Sequence, residues 1–404
     1  MMTILIILAV LLAILTIGQL LRVFEASSKL NGGTSLLPTV AENKYQGRSM
    51  FIFMLGFFAF FIWCMVEYGP YLLPEAASEH GVLLDRLLNF NFAIITLVFV
   101  ITHAILFYFA MKYAYHPERK AYYFTHSNKL ELLWTIVPAI FLAVIIVYGL
   151  SAWISITDDA PEGSLTIELY PKQFDWTARY SGEDAQLGAS NYNMISGTNP
   201  LGLITDGSLD QMMSELEAEI AEIKVDLESA PVDGMKQEDL TETLGKRERQ
   251  LNRVRGFRSF EAANRASGND DILVKTEFYI PVGREIDFKF RSRDVIHSAY
   301  FPHFRAQMNC VPGMVTQFHF KPTITTAQMK AKTQNDDFDY LVLCNKICGA
   351  AHYNMSIVIK VVEEDEYNAW IAEQKTFSET ISPADESEET ASIVSEDAIS
   401  MIEE

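Results

Sequence analysis

Long apolar runs separated by short polar stretches dominate the first 155 residues of the chain. Four of them approach the ~20 residues that a helix needs to cross the hydrocarbon core of a bilayer: 2–21, 50–66, 92–111 and 132–153. This pattern predicts four transmembrane helices. The first run has no Lys or Arg before it and no small-x-small cleavage site behind it. We therefore expect a retained helix rather than a signal peptide.

Charges in the loops between these runs predict the orientation of the chain. Basic residues follow the first and the third run, so those two loops are expected in the cytoplasm: Arg22, Lys29, Lys44, Arg48, Lys112, Arg119, Lys120 and Lys129. The loop at 67–90 carries four acids and one Arg, which places it outside. Everything after Trp153 is then expected outside as well, on the periplasmic face of a bacterial inner membrane.

Short segments with alternating apolar and polar residues replace the apolar runs after residue 156. They predict a small β-sandwich, with strands at 164–170, 173–180, 272–280, 285–291, 314–320, 338–343 and 356–362. Two heptad-like stripes, the first acidic and the second basic, interrupt the strands at about 205–260. They predict an inserted helical hairpin, which is either a docking element for another subunit or a self-contained decoration. The fold class is thus transmembrane helices followed by an outward-facing β-sandwich.

The amino-acid composition predicts a negatively charged outer face. The formal net charge is −20, and the tail at 376–404 is acidic, rich in Ser and poor in aromatic residues, which predicts disorder. A negative outer face attracts basic partners. The basic arm of the hairpin does not indicate nucleic acid, because the outward face of a membrane offers none.

The densest group of metal-ligating residues is the stretch Cys344-Asn-Lys-Ile-Cys348-Gly-Ala-Ala-His352-Tyr-Asn-Met355. Thiolate and thioether donors favour copper over magnesium or calcium, and Met beside Cys and His is typical of copper electron-transfer sites. Zinc is the first alternative, although a structural zinc site takes a fourth Cys or His. Two Cys in a non-helical loop can bridge two metal ions, which then need two imidazoles. His297 is the best candidate for the second one.

A known family has these features in the same order. Asp294-Val-Ile-His297-Ser, with Pro302 and Val311-Pro-Gly313 downstream, and then Cys-x3-Cys-x3-His-x2-Met resemble subunit 2 of the haem-copper cytochrome c oxidases, which carries the binuclear copper centre CuA. The resemblance covers roughly 90–180 and 268–375. It implies a cupredoxin-like domain that accepts single electrons from a c-type cytochrome. Subunit 1, with other oxidase subunits, would then reduce oxygen to water with proton translocation.

The resemblance also implies the copper ligands, which are the side chains of His297, Cys344, Cys348, His352 and Met355 and the backbone carbonyl of Lys346. The family usually has Glu at the position of Lys346, and its carboxylate binds a magnesium ion shared with the catalytic subunit. An ammonium group cannot bind a cation. The magnesium site is therefore in doubt in this chain.

Two further positions are matched to family roles. Glu131, with Trp134 and Pro138, matches the Glu that marks the entrance of a proton pathway, although an acid in a first helical turn also favours the helix dipole. Phe174 stands where the family has a Trp thought to receive electrons, and Trp176 is the next aromatic residue. Electron entry is therefore expected through Phe174 or Trp176.

The predicted domains are two extra transmembrane helices (1–89), a transmembrane hairpin (90–155), a cupredoxin-like CuA domain (156–375) and the tail (376–404). Alternative functions are a CuA subunit of another terminal reductase and a copper-binding module without a redox role. Membrane lipid is expected as a further partner.

Overall fold

The computed structural model of this protein describes residues 2–30, 39–229 and 234–381. The chain divides into two compact units. One consists of Met1–Leu73 and Asn91–Pro138, and the other of Pro74–Phe90 and Ala139–Glu404. Of the acidic tail predicted at 376–404, residues 382–404 lie outside the described residues.

Four long apolar helices confirm the predicted transmembrane segments: α1 (Met2–Leu30), α2 (Val40–Tyr68), α3 (Glu79–Lys112) and α4 (Asn128–Thr157). Each helix is longer than its apolar run, and α2, α3 and α4 extend beyond it at both ends. The start of α2 is fixed by a capping box between Thr39 and Glu42, which pairs backbone N–H groups that the helix itself cannot pair. The predicted domain boundary between 89 and 90 lies within α3.

Two five-stranded sheets form the outward β-sandwich. The first has the order β3-β2-β1-β5-β8 and the second β4-β10-β9-β6-β7. Their strands are β1 (Leu165–Lys172), β2 (Asp175–Tyr180), β3 (Ile272–Val274), β4 (Glu277–Pro281), β5 (Ile286–Phe290), β6 (His297–Phe301), β7 (Ala306–Cys310), β8 (Thr316–Phe320), β9 (Tyr340–Cys344) and β10 (Ser356–Val362). Buried phenylalanines fill the core, for example Phe288, Phe301 and Phe320. The apolar positions of the predicted strands point into this core.

The sandwich differs from the sequence prediction in three places. The single strand expected at 272–280 is two strands, β3 and β4, which belong to different sheets. Strands β6 and β7 were not predicted, because β6 is buried at four of its five positions and so lacks alternation. His297 follows the predicted strand 285–291 in the sequence but begins a separate strand, β6, and six residues lie between it and the end of β5.

The predicted helical hairpin is present as α5 (Asp206–Ser229) and α6 (Met235–Gly256). The two helices share a small core of their own that includes Leu216, Ile220 and Leu251. Ion pairs cross between the acidic and the basic helix, as expected from the charge pattern: Arg247 with Glu219 at 2.8 Å, Arg255 with Glu217 at 2.7 Å and Lys224 with Glu248 at 3.3 Å. These exposed pairs add little stability each.

Four short helices complete the described fold of this unit: α7 (Ala262–Ala266), α8 (Thr326–Thr333), α9 (Glu364–Ala372) and α10 (Phe377–Ile381). Phe377 is buried in α10, beside Leu201 and Leu203. Its backbone N–H donates to the carbonyl of Asp271 at 2.7 Å. The fold therefore includes the first residues of the segment that was expected to be disordered.

The segment before α3 packs on the sandwich within the same unit. The Ala77 N–H donates to the His303 carbonyl at 2.7 Å, and the Thr323 N–H donates to the Ala77 carbonyl at 2.8 Å. Arg305 forms a two-pronged ion pair with Asp85, at 2.7 and 2.9 Å. Residues 74–90 of the loop that its acids placed outside are thus part of the same compact unit as the sandwich.

Candidate metal centre

His297 is positioned by the start of β6 and by the adjoining strand β7. It is fully buried, and its backbone pairs with Cys310 across the sheet. Ring atom Nε2 lies 2.9 Å from Oδ1 of Asp294, while Nδ1 faces the thiol of Cys344 at 3.8 Å. The hydrogen bond to Asp294 therefore fixes the orientation of the His297 imidazole ring.

The remaining donors lie on the loop between β9 and β10. Cys344 ends β9, and its N–H donates to the Met355 carbonyl at 3.0 Å, which closes the loop at its base. The Asn345 N–H donates to the carbonyl of Ser298 on β6 at 2.9 Å. These bonds fix the loop against the strand that carries His297.

The donor atoms are grouped around the two thiols. The sulfur atoms of Cys344 and Cys348 are 3.8 Å apart, and those of Cys348 and Met355 are also 3.8 Å apart. Nδ1 of His352 lies 3.6 Å from the Cys348 sulfur. The carbonyl oxygen of Lys346 lies 3.3 Å from the Cys344 sulfur, and Nδ1 of His297 lies 3.8 Å from the same sulfur. Each thiol thus has one imidazole beside it.

These separations suit a soft transition metal. Metal–sulfur bonds of about 2.3 Å and metal–nitrogen bonds of about 2.0 Å put neighbouring donors of a tetrahedral site roughly 3.3–3.8 Å apart. Donor atoms of His297, Cys344 and Cys348 all lie within 4.8 Å of one another. Two thiolates, an imidazole nitrogen and a thioether are donors that favour copper-like ions over magnesium or calcium. The residues therefore fit a bound metal.

Burial raises the pKa of the Cys348 thiol. Cys348 is 6 % exposed, and this burial, with the hydrogen bond to Cys344, raises the pKa of its thiol to about 11. A cation in direct contact is needed to make the thiolate the stable form at neutral pH. Burial also tends to raise the pKa of Asp294, but hydrogen bonds from His297 and from the N–H groups of Gln173 and Val295 hold it below its usual value.

A second layer of contacts supports the ligand loop from the turn between β1 and β2. The side chain of Gln173 donates to the carbonyl of Cys348 at 2.6 Å. Phe174 lies against Gly349, whose φ of +145° favours glycine, and an added Cβ would come 2.8 Å from the Phe174 ring. Gln173 and Gly349 were not predicted to belong to the site. No local sequence pattern identifies them, because the residues that they contact are about 175 positions away along the chain.

The other predicted site residues are placed as follows. Trp176 is 1 % exposed, with its ring centre 6.4 Å from that of His297, whereas Phe174 is half-buried. Lys346 is exposed. Glu131 belongs to the other compact unit, in the first turn of α4, and is not one of the clustered donors. Two exposed residues of the ligand loop, Ile347 at 86 % and Tyr353 at 88 %, were not singled out.

Comparisons with known proteins match both parts of the chain. The transmembrane domain of cytochrome c oxidase subunit II matches residues 66–152, and its periplasmic domain matches residues 260–362. The inserted hairpin lies between these two ranges. The second range contains His297 and the complete ligand loop.

Full-length relatives are also similar. An alternative cytochrome c oxidase subunit 2 of Bradyrhizobium diazoefficiens is 27% identical over 315 residues, 77% of this chain and 87% of the relative. The cytochrome c oxidase subunit 2 of Cereibacter sphaeroides is 23% identical over 310 residues, 76% of this chain and 80% of the relative. The periplasmic domain of subunit II of a Bradyrhizobium japonicum oxidase is 18% identical and covers 53% of this chain and 95% of its own, with a TM-score of 0.26, too low to support an argument.

The membrane helices and the outward β-domain thus occur in the order in which the two family domains match, and relatives of the same description span most of the chain. Together with the grouped soft donors, this shows that the chain belongs to the cytochrome c oxidase subunit 2 family of the haem-copper oxidases.

Proposed function

We propose that the clustered donors hold a binuclear copper centre of the CuA type. The ligands would be the carbonyl of Lys346 and the side chains of His297, Cys344, Cys348, His352 and Met355. The observation that carries this proposal is the pair of thiols 3.8 Å apart with an imidazole beside each of them. These side chains would hold the copper, with one imidazole beside each thiol.

Copper bound by these residues would accept and release one electron at a time. The protein's part is to keep the donors fixed and dry. His297 is fully buried and Met355 is 2 % exposed, so water has little access to the group. The loop is closed by the bond from Cys344 to Met355 and fixed to β6 through Asn345. A rigid, water-poor set of ligands changes little when the charge changes, which favours fast electron exchange.

The proposed role is electron entry into the oxidase. Single electrons would come from a c-type cytochrome and leave towards haem-copper subunit 1, which reduces oxygen to water with proton translocation. The sequence contains no Cys-x-x-Cys-His motif, so the haem of the donor would belong to another chain. The net charge of −20 would steer a basic donor. The location would be a bacterial inner membrane with the copper domain in the periplasm.

Electron entry would use the exposed side of the ligand loop. Trp176 is too buried to touch a docking protein, so of the two predicted entry residues Phe174 would be the one nearer the donor. Phe174 contacts the loop at Gly349. The exposed side chains of Ile347 and Tyr353 would give the donor an apolar contact on the same loop.

Two further roles follow from the family resemblance. Lys346 would replace the magnesium ion with its own positive charge at the subunit interface, since its side chain is exposed and can meet a partner's carboxylate. Glu131 would collect protons at the cytoplasmic end of α4, where it is exposed to about half. The α5–α6 hairpin lies outside the ranges that match the family, and it would be either a docking element for another subunit or a self-contained decoration.

The copper centre is tested by metal content and electron paramagnetic resonance of the purified oxidase. Two copper ions per chain and a mixed-valence signal are expected. Cys348→Ser should abolish the signal, whereas Met355→Leu should keep copper bound and shift its potential, because an axial thioether is a weak ligand. Cys64→Ser is a matched control, since this thiol lies in α2, away from the group. One copper ion per chain, or zinc, would refute the proposal.

A further inference from the structure

A groove of about 650 Å³ runs between the outward ends of α3 and α4. Its apolar wall is formed by Leu87 and Phe90 of α3 and by Val144 and Tyr148 of α4. Arg86 and Ser151 line the same groove. The two helices run in opposite directions, so these polar residues lie nearer the outward end than Phe90 and Val144 do. Leu83 also lines the outward end, so the groove has a mixed outward half, which holds Arg86 and Ser151, and is apolar deeper in the membrane at Phe90 and Val144.

The dimensions of the groove suit one leaflet. Eleven residues separate Val144 from Ser155, which also lines it, and a rise of about 1.5 Å per residue makes this roughly 16 Å. Half of a hydrocarbon core of about 30 Å is similar in length. The length of the groove and the position of its polar residues thus match a lipid molecule in the outer leaflet.

Arg86 supplies a charge that the fold leaves without a partner. Within the described parts of the chain, no carboxylate lies within ion-pairing distance of its guanidinium. The neighbouring acid, Asp85, is already engaged by both prongs of Arg305. Glu79, about two helical turns nearer the start of α3, pairs with Lys321 at 3.0 Å. An unpaired guanidinium at a membrane boundary attracts phosphate, which it can bind through two parallel hydrogen bonds.

We propose that this groove is a binding site for an anionic phospholipid of the outer leaflet. The phosphate would bind Arg86, and the Ser151 hydroxyl would donate a further hydrogen bond. One acyl chain would lie along Leu87, Phe90, Val144 and Tyr148. The site is distinct from the metal centre and does not depend on the metal.

Photolabelling in the intact oxidase tests this site. The oxidase is reconstituted in phosphatidylcholine vesicles containing phosphatidylglycerol with a diazirine in its acyl chain, and labelled peptides are identified by mass spectrometry. Label is expected within 83–90 and 144–155. Unlabelled phosphatidylglycerol should compete about fivefold better than added phosphatidylcholine, the difference expected from one basic residue near a membrane surface.

Three variants separate the head group from the groove. Arg86→Gln should remove the preference for the anionic lipid, and Ser151→Phe, at an exposed position of the wall, should block labelling by both lipids. Lys120→Gln, in a different loop, is the matched control and should change neither. Label found only elsewhere, or a preference that survives Arg86→Gln, would overturn the proposal. So would a photoreactive group at position 87 that reacts with a partner subunit instead of lipid.

Discussion

Asp294 and His297 form a hydrogen bond of 2.9 Å on the side of the imidazole that points away from the thiols. The carboxylate also accepts the N–H groups of Gln173 and Val295, both at 2.7 Å. With Nδ1 of His297 bound to a metal, Nε2–H would donate to this carboxylate. Partners of this kind fix the tautomer and the orientation of a ligand imidazole.

Removing this partner should weaken metal binding although every ligand is still present. Asp294→Ala is expected to lower copper affinity by about 10–100-fold, the usual effect of losing such a partner. Asp294→Asn should lose less, because its amide oxygen still accepts from Nε2. Copper retention against a competing chelator measures the effect. Asp336→Asn, an exposed acid on another loop, is the control, and equal retention in Asp294→Ala would contradict the prediction.

The contact between Gly349 and Phe174 predicts a coupled pair. Gly349→Ala would place a methyl group 2.8 Å from the Phe174 ring and 2.9 Å from Nε2 of Gln173, at a φ of +145°. The ligand loop must then shift, with an expected loss of about 1–3 kcal/mol. Phe174→Leu should relieve part of that loss.

A double-mutant cycle measures this coupling. Thermal stability and copper content are determined for both single variants and for the double variant, and an interaction of at least about 0.5 kcal/mol is expected. Gly283→Ala is a useful control, because its φ is also positive but a Cβ there would meet no neighbour. Strictly additive effects at 174 and 349 would show that the ring does not limit the loop.

The parts of the structure that could be predicted from the sequence are those marked by a local pattern of residues. The apolar runs give the membrane helices, and the Cys-x3-Cys-x3-His-x2-Met spacing brings Cys344 and Met355 onto one loop. The contacts that fix this loop are not local. Gln173 and Cys348 are 175 residues apart along the chain, and Asp85 and Arg305 are 220 apart. Strand β6 was missed because burial on both faces removes the alternation that identifies a strand.

The ion pair between Arg305 and Asp85 should contribute measurably to the outward domain. The Arg305 side chain is only 10% exposed, and it also donates to the Pro302 carbonyl at 2.6 Å. Arg305→Ala would leave Asp85 partly buried without its partner, so a loss of about 2 kcal/mol in unfolding free energy is expected. Hydrogen exchange of the Ala77 and Thr323 amides should speed up accordingly.

An exposed pair in the same domain provides the comparison. Arg284 and Glu364 lie 3.1 Å apart, but both side chains are more than a third exposed. Arg284→Ala should cost less than about 1 kcal/mol. Equal effects of the two substitutions would mean that the segment before α3 is held by its backbone hydrogen bonds alone.

Asp271 should make stability depend on pH. It is fully buried, and burial raises the pKa of its carboxyl to about 7, although Arg179 and the Gly188 N–H oppose this rise. In the unfolded chain an Asp loses its proton near pH 4. Between pH 4 and 7 the folded state therefore binds more protons, so stability falls as pH rises, by at most about 1.4 kcal/mol per pH unit.

Urea midpoints of the detergent-solubilised protein at pH 4.5 and 7 measure this slope. Asp271→Asn should reduce it, because the amide does not titrate but its oxygen can still accept from Arg179 and Gly188. Asp337→Asn, an exposed acid, should leave the slope unchanged. The interpretation fails if the slope in Asp271→Asn equals that of the original protein.

A substitution of Glu131 can distinguish a role in starting α4 from a role in proton uptake. Its carboxylate accepts the Ser127 N–H at 3.3 Å, so it stabilises the first turn of α4, where an acid favours the helix dipole. Glu131→Gln keeps an oxygen that can accept this bond, and subunit assembly should therefore survive. Gln cannot take up and release protons. Steady-state turnover and haem reduction should then slow by about tenfold, a barrier change of about 1.4 kcal/mol, while the copper spectrum is unchanged. Glu118→Gln, in the preceding loop, controls for loss of charge, and normal turnover of Glu131→Gln with full subunit content would leave Glu131 with a structural role only.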